Sequence, residues 1–81
     1  MNVRVRLFAV AKQLAGQDSI ILQLPEGSTL GQLRERLAAE VPQIAAVLPH
    51  ILFAVGSEYA HDDDVISADS EVACIPPVSG G

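Results

Sequence analysis

The sequence predicts a two-layer α+β domain in which one main helix crosses a small mixed sheet. Three observations point there. Several short stretches carry apolar residues with a period of two, and they bracket one longer stretch with a helical period. That longer stretch opens on Thr29 and Gln32, three residues apart, in the pattern of a capping box. The chain has 81 residues, 49% of them apolar, which suits one domain with one core. The predicted order is β-β-α-β-β-β.

Residues 3–8 alternate cleanly. Val3, Val5 and Leu7 form the core side of a half-buried strand, and Arg4, Arg6 and Phe8 form the other. Phe8 is thus a large aromatic standing on an arginine face. Residues 9–15 predict a short helix ended by Gly16. Residues 19–24 predict a second strand, with Ile20, Leu22 and Leu24 on one face and Gln23 on the other, paired antiparallel to the first. Pro25, Glu26, Gly27 and Ser28 make a turn. Leu30, Leu33, Leu37 and Val41 then recur at intervals of three and four, with Arg34, Glu35, Arg36 and Glu40 mostly on the other faces of the main helix. Pro42 ends it, and residues 44–48 predict a short helical segment stopped by Pro49.

Residues 51–55 are a continuous apolar run, as in a central strand buried on both faces. Gly56 and Ser57 turn the chain into a short strand at residues 58–60. Asp62, Asp63 and Asp64 predict a solvated turn, and Ala68, Asp69 and Ser70 another. Residues 71–75 form the last strand, with Val72 and Cys74 inward and Ala73 and Ile75 outward. The domain thus spans residues 1–75, and residues 76–81 form an extended tail.

Charge and composition exclude several classes of function. The net charge is −5; the first 36 residues hold all five basic side chains and carry +2, and the rest carries −7. Nucleic acid is not an expected partner, because phosphates require a basic footprint. The acidic half fits either a basic partner surface or ordinary solubilising charge. No apolar run approaches the roughly 20 residues of a membrane helix, and arginines interrupt the first apolar stretch, unlike a signal peptide. Cys74 is the single cysteine, so a reducing cytoplasm is the simplest location. His50, His61, Cys74 and the acidic run share no metal-ligand spacing, and no metal site is expected. No nucleophile-base motif or phosphate loop appears, so the body is not expected to be an enzyme by itself.

The chemistry is expected instead at the closing run Ile75-Pro76-Pro77-Val78-Ser79-Gly80-Gly81. Each proline fixes φ and removes a backbone donor, so strand pairing should stop at Pro76 and a stiff stem should follow. Fully extended, six residues from Pro76 reach about 20 Å, enough to enter another protein's active site. Gly80 and Gly81 have no Cβ and can thread a narrow channel. If the first and last strands are neighbours, Phe8 and Ile75 share the outer face, and Tyr59 can join them in an apolar patch that marks a partner surface.

This element order, size and closing tail resemble the β-grasp (ubiquitin-like) fold, which places the first and last strands side by side and parallel in mid-sheet. More specifically, Glu71-Val72-Ala73-Cys74-Ile75-Pro76-Pro77-Val78-Ser79-Gly80-Gly81 resembles the end of the small subunits of molybdopterin synthase, the molybdopterin-converting factor subunit one family. Leu7-Phe8-Ala9 with Lys12, Leu14 and Gly16 is similar to the start of that family. Gly56 and Cys74 depart from it, at a turn and a packing position.

The resemblance implies a sulfur carrier. An activating enzyme uses ATP to adenylate the Gly81 carboxylate, and a sulfur donor displaces AMP to leave a thiocarboxylate. The tail, with Gly80 beside the reacting group, then enters the large subunit of molybdopterin synthase and donates sulfur to cyclic pyranopterin monophosphate. Phe8, Tyr59, Ile75, Pro76, Pro77, Val78 and Ser79 would contact partners in a heterotetramer of two small and two large subunits, with no cofactor held stably by the carrier. The alternatives are a thiamine-pathway sulfur carrier, a ubiquitin-like modifier joined to lysines through Gly81, and a plain interaction module.

Overall fold

A computed structural model of the chain describes residues 1–76. Five strands are formed: β1 (Asn2–Leu7), β2 (Ser19–Gln23), β3 (Leu52–Val55), β4 (Glu58–Tyr59) and β5 (Glu71–Ile75). They make one sheet in the order β2-β1-β5-β3-β4. β1 and β5 run parallel in register Arg4 with Glu71 through Leu7 with Cys74, and the other neighbours are antiparallel. The last strand of the chain is therefore the middle strand of the sheet. The fold is the β-grasp fold that the element order implied.

The inner face follows the alternation. Val3, Val5, Leu7, Val72 and Cys74 are buried, as is Phe53 on β3. Two helices, α1 (Ala9–Ala15) and α2 (Leu30–Glu40), complete the cover. Gly16 ends α1 in the left-handed conformation at φ 75°, and its N–H donates to the Lys12 carbonyl at 2.9 Å. On α2, Leu30, Leu33 and Leu37 are fully buried, while Val41 closes the stripe just past its end.

The start of α2 is held twice. In the capping box the Gln32 N–H donates to Thr29 Oγ1 at 3.3 Å and the Thr29 N–H donates to Gln32 Oε1 at 2.9 Å. The next two orphan donors are met by the acidic turn: Leu30 N–H donates to the Asp64 carbonyl at 2.9 Å and Gly31 N–H to the Asp62 carbonyl at 3.0 Å. A Cβ at residue 31 would stand 3.3 Å from that Asp62 oxygen, so glycine suits the close approach. The turn expected to be merely solvated thus caps the main helix.

Arg34 ties α2 to β3, to the turn before it and to the acidic turn. Its guanidinium donates to the Leu48 carbonyl at 2.7 Å, pairs with Asp62 Oδ1 at 3.1 Å and lies 4.8 Å from the centre of the Phe53 ring.

Two local expectations are corrected. Residues 44–48 are not a helical segment stopped by Pro49. Two 3-10 turns form instead, Pro42–Ile44 and Leu48–His50, and Pro49 lies early in the second, where a residue's N–H has no acceptor within the turn and proline loses no bond. Nor is β3 a central strand buried on both faces. It lies fourth in the sheet order, with Phe53 buried and Leu52 exposed.

The capping box gives a direct test. Thr29→Ala removes the acceptor for Gln32 N–H and is expected to cost about 1 kcal/mol, lowering Tm by roughly 4–8 °C. Thermal unfolding followed by circular dichroism measures this, and an unchanged Tm would show that the Asp62 and Asp64 carbonyls alone hold the helix start.

Candidate functional site: the open sheet face

The helices cover one face of the sheet, and the ladder register fixes which side chains lie on the other. Ile75 of β5 stands opposite Leu52 of β3. Phe8 follows β1 in extended geometry, φ −126° and ψ 156°, one step beyond the Leu7–Cys74 pair, which brings it level with Ile75. Phe8, Ile75 and Leu52 thus form one row across three strands, spanning about 10 Å at 4.7–4.9 Å per strand. The adjoining row is Arg6, Ala73, Ala54 and Tyr59.

Exposure decides what this face can do. Phe8 is 39% exposed, Leu52 54% and Tyr59 67%, and Ile75 is half-buried between its neighbours. Ala73 and Ala54 leave a shallow floor between Arg6 and Tyr59. Arg6 lies 5.4 Å from the Phe8 ring centre and pairs with Glu71 at 3.4 Å, giving the apolar row a polar margin. An apolar centre with a charged rim is the composition of a protein-docking surface.

The chain also turns sharply here. Ala9 has φ 52°, in the left-handed region a side chain rarely adopts. That turn lets the chain enter α1 while Phe8 stays on the sheet face. A strained residue next to an exposed aromatic fits a functional surface.

The site residues expected from sequence divide in two. Phe8 and Ile75 are brought side by side. Tyr59 shares the face but lies three strands from Phe8, about 14 Å away, and Leu52 bridges them. Pro76 is the last described residue, past the end of β5, and is buried. Pro77, Val78, Ser79, Gly80 and Gly81 lie outside the described residues. Ala73 lies on the outer face as its alternation predicts, whereas Leu52 and Ala54 are additions that the sequence does not reveal. The run Ile51-Leu52-Phe53-Ala54-Val55 is apolar throughout, so no polar residue marks which side of the strand faces out.

Cys74 is on the inner face and fully buried. Burial pushes its thiol up to about 11, against a smaller opposing pull from the charge of Arg34. A thiol that stays protonated in a packed core is a poor nucleophile. Among the described residues no group of three or more His, Cys, Asp or Glu side chains is placed to hold a metal ion. None of the described helices is long and apolar enough to cross a membrane.

Comparison with known proteins decides the family. Residues 5–81 match the ThiS family. This chain belongs to the ThiS family. The molybdopterin synthase sulfur carrier subunit of Dictyostelium discoideum is 43% identical over 81 residues, which cover 96% of this chain and 94% of the relative. Among solved structures, the small archaeal modifier protein SAMP1 of Haloferax volcanii superposes with a TM-score of 0.89 at 26% identity over the whole of both chains. The putative molybdopterin-converting factor subunit 1 of Pyrococcus furiosus gives 0.86 at 27% identity, covering 96% of this chain and 99% of that one. In a ThiS-family protein of this fold, the row of Phe8, Ile75 and Leu52 lies where the chain passes from β5 into its C-terminal segment.

The raised thiol sets a pH dependence. The unfolded thiol ionises near 9 and the folded one near 11, so stability from this group is complete below pH 9 and declines as pH rises toward 11. The loss is expected to be on the order of 2 kcal/mol. Urea unfolding of the wild type and Cys74→Val at pH 7, 9 and 10.5 measures it. The wild type should lose the extra stability above pH 9 and the variant should not; parallel curves would place the thiol in contact with solvent.

Proposed function

We propose that this chain is a sulfur carrier in molybdenum cofactor synthesis, the small subunit of molybdopterin synthase. The observation that carries the reading is the whole-length likeness to the sulfur carrier subunit of Dictyostelium discoideum. The open row at the end of β5 supplies a physical reason for it: a partner that grips Phe8, Ile75 and Leu52 is already beside the point where the tail departs.

The chemistry belongs to Gly81. A terminal carboxylate is ionised at neutral pH and is a poor acyl electrophile. An activating enzyme joins it to AMP from ATP, releasing pyrophosphate. A sulfur donor then expels AMP, and the carboxylate becomes a thiocarboxylate. Docked on the large subunit, the tail presents that sulfur to cyclic pyranopterin monophosphate, and two transfers build the dithiolene. Glycine at 80 and 81 admits backbone dihedrals and close approach that a Cβ would block. Binding by the sheet face converts sulfur delivery into an intramolecular event at high effective concentration. In this reading Pro77, Val78 and Ser79, beyond the buried Pro76, would contact the partner on the way to Gly81, and the acidic half of the chain would face a basic partner surface. The two enzymes share one docking row, so they bind in turn. The assembly holds two small and two large subunits, in the cytoplasm.

A second reading is favoured by the likeness to SAMP1: a modifier joined through Gly81 to lysines of other proteins. It uses the same activated carboxyl and ends on an amine in place of sulfur.

Binding separates a docking row from a merely exposed one. Phe8→Ala and Leu52→Ser are each expected to weaken binding to the large subunit by more than about tenfold, roughly 1.4 kcal/mol. Both side chains are exposed, so the folded state should survive with Tm changed by only a few degrees. Calorimetric titration with the large subunit makes the measurement. Unchanged affinity in both variants would remove the docking role of this face.

A further inference from the structure

We propose that two copies of this chain associate through the open edge of β2, forming an antiparallel β2–β2 pair about a two-fold axis at Ile21. Among the described residues β2 has a strand neighbour on one side only, because it ends the sheet order. The hydrogen bonds at both ends of the β1–β2 ladder show which way its backbone points. Leu7 N–H donates to the Asp18 carbonyl at 2.7 Å, and Leu24 N–H donates to the Met1 carbonyl at 2.9 Å. In the same register, Val5 with Ile20 and Val3 with Leu22 are hydrogen-bonded pairs. The even-numbered residues of β2 therefore spend their backbone groups on β1. The N–H and C=O groups of Ser19, Ile21 and Gln23 point to the open edge.

A second β2 fits that edge in one best register. Centring the pair on Ile21 sets Ile21 opposite Ile21 and Ser19 opposite Gln23 on each side. All three outward-pointing residues then form hydrogen-bonded pairs, giving about six inter-strand bonds. Sliding by two residues leaves about four, and sliding by one opposes groups that point away. The side chains agree with this register. On the outer face Ile21, 59% exposed, meets its own copy, and Ser19 meets Gln23. On the helix side Ile20 meets Leu22; a cleft of about 480 Å³ runs along this strand, lined from both faces by Arg4, Ser19, Ile20, Ile21 and Leu22 and closed by Glu40 and Val41 at the end of α2. The strand is thus complementary to itself, as an isologous contact requires.

The two edges of the sheet are treated differently. Proteins guard exposed edges with short strands, charges or proline. β4, at the other edge, is two residues long and contains Glu58. β2 has five residues, Ser19-Ile20-Ile21-Leu22-Gln23, with no charge and no proline. No like charges oppose each other in the proposed pair. Phe8, Ile75 and Leu52 lie on the outer face of other strands and stay open in the dimer. A single pair of five-residue strands buries less than a standard interface, so the dimer is concentration-dependent.

Sedimentation equilibrium of the full chain from about 10 μM to about 1 mM tests a contact of this strength. The weight-average mass is expected to rise from 8.5 kDa toward twice that value. Ile21→Lys places two ammonium groups face to face at the axis and should stay monomeric with an unchanged circular dichroism spectrum, while Ile21→Val should still associate. Amide exchange read by NMR gives a second, wild-type readout. The Ser19, Ile21 and Gln23 amides should slow as concentration rises, while Ile20 and Leu22, already bonded to β1, should not change. A wild type that stays monomeric to about 1 mM, a folded Ile21→Lys protein that still dimerises, or a dimer in which those three amides exchange at one rate throughout would overturn the proposal.

Discussion

The parallel ladder between β1 and β5 is the contact on which the rest of this molecule depends. It joins the first strand to the last, so nearly the whole chain must be in place before it closes. β5 then lies between β1 and β3, with Val72 and Cys74 against the core. Because side chains alternate, a slip of one residue would turn Ala73 and Ile75 inward and expose Val72 and Cys74. The core thereby fixes the register, and the register fixes the outer face. Parallel direction adds a second consequence: both strands finish at the same end of the sheet. Phe8 and Ile75 are neighbours for that reason, and the C-terminal segment begins beside them.

The other structural anchor is the start of α2. Its capping box is local, but two further donors reach carbonyls of Asp62 and Asp64, more than thirty residues on. Arg34 extends the same tie to Asp62, Leu48 and Phe53. The acidic turn, whose composition invites a cation-binding interpretation, has a structural task that accounts for its place. Its backbone carbonyls serve the helix, and Asp62 serves the arginine.

Much of this was legible in the sequence, for identifiable reasons. Val3, Val5 and Leu7 alternate with arginines, so their face was plain. Thr29 and Gln32 announced the helix start, and Gly16 the end of α1. The run from Ile51 to Val55 hid its alternation because Leu52 and Ala54 are apolar too; an exposed apolar face and a buried one share the same residue types. Pro49 misled in the opposite sense, since a proline that ends an α-helix is at home early in a 3-10 turn. The role of the acidic turn depends on tertiary hydrogen bonds between main-chain atoms, which leave no trace in side-chain pattern. At the candidate site, Phe8 and Ile75 could be found by alternation once β1 and β5 were paired, whereas Leu52 required the sheet order.

The division of labour is clear in physical terms. The body contains an inert buried thiol, a closed core and an apolar face with a charged rim; the proposed reactive group is the carboxylate of Gly81. As a sulfur carrier, the chain would hold its sulfur on this carboxylate. Intact mass measurement of the protein isolated from its native cells tests it most directly. A fraction heavier by the exchange of one oxygen for one sulfur, with fragmentation placing the change at Gly81, is the predicted result. A chain found only with an unmodified carboxylate, under conditions where molybdenum cofactor is being made, would contradict it.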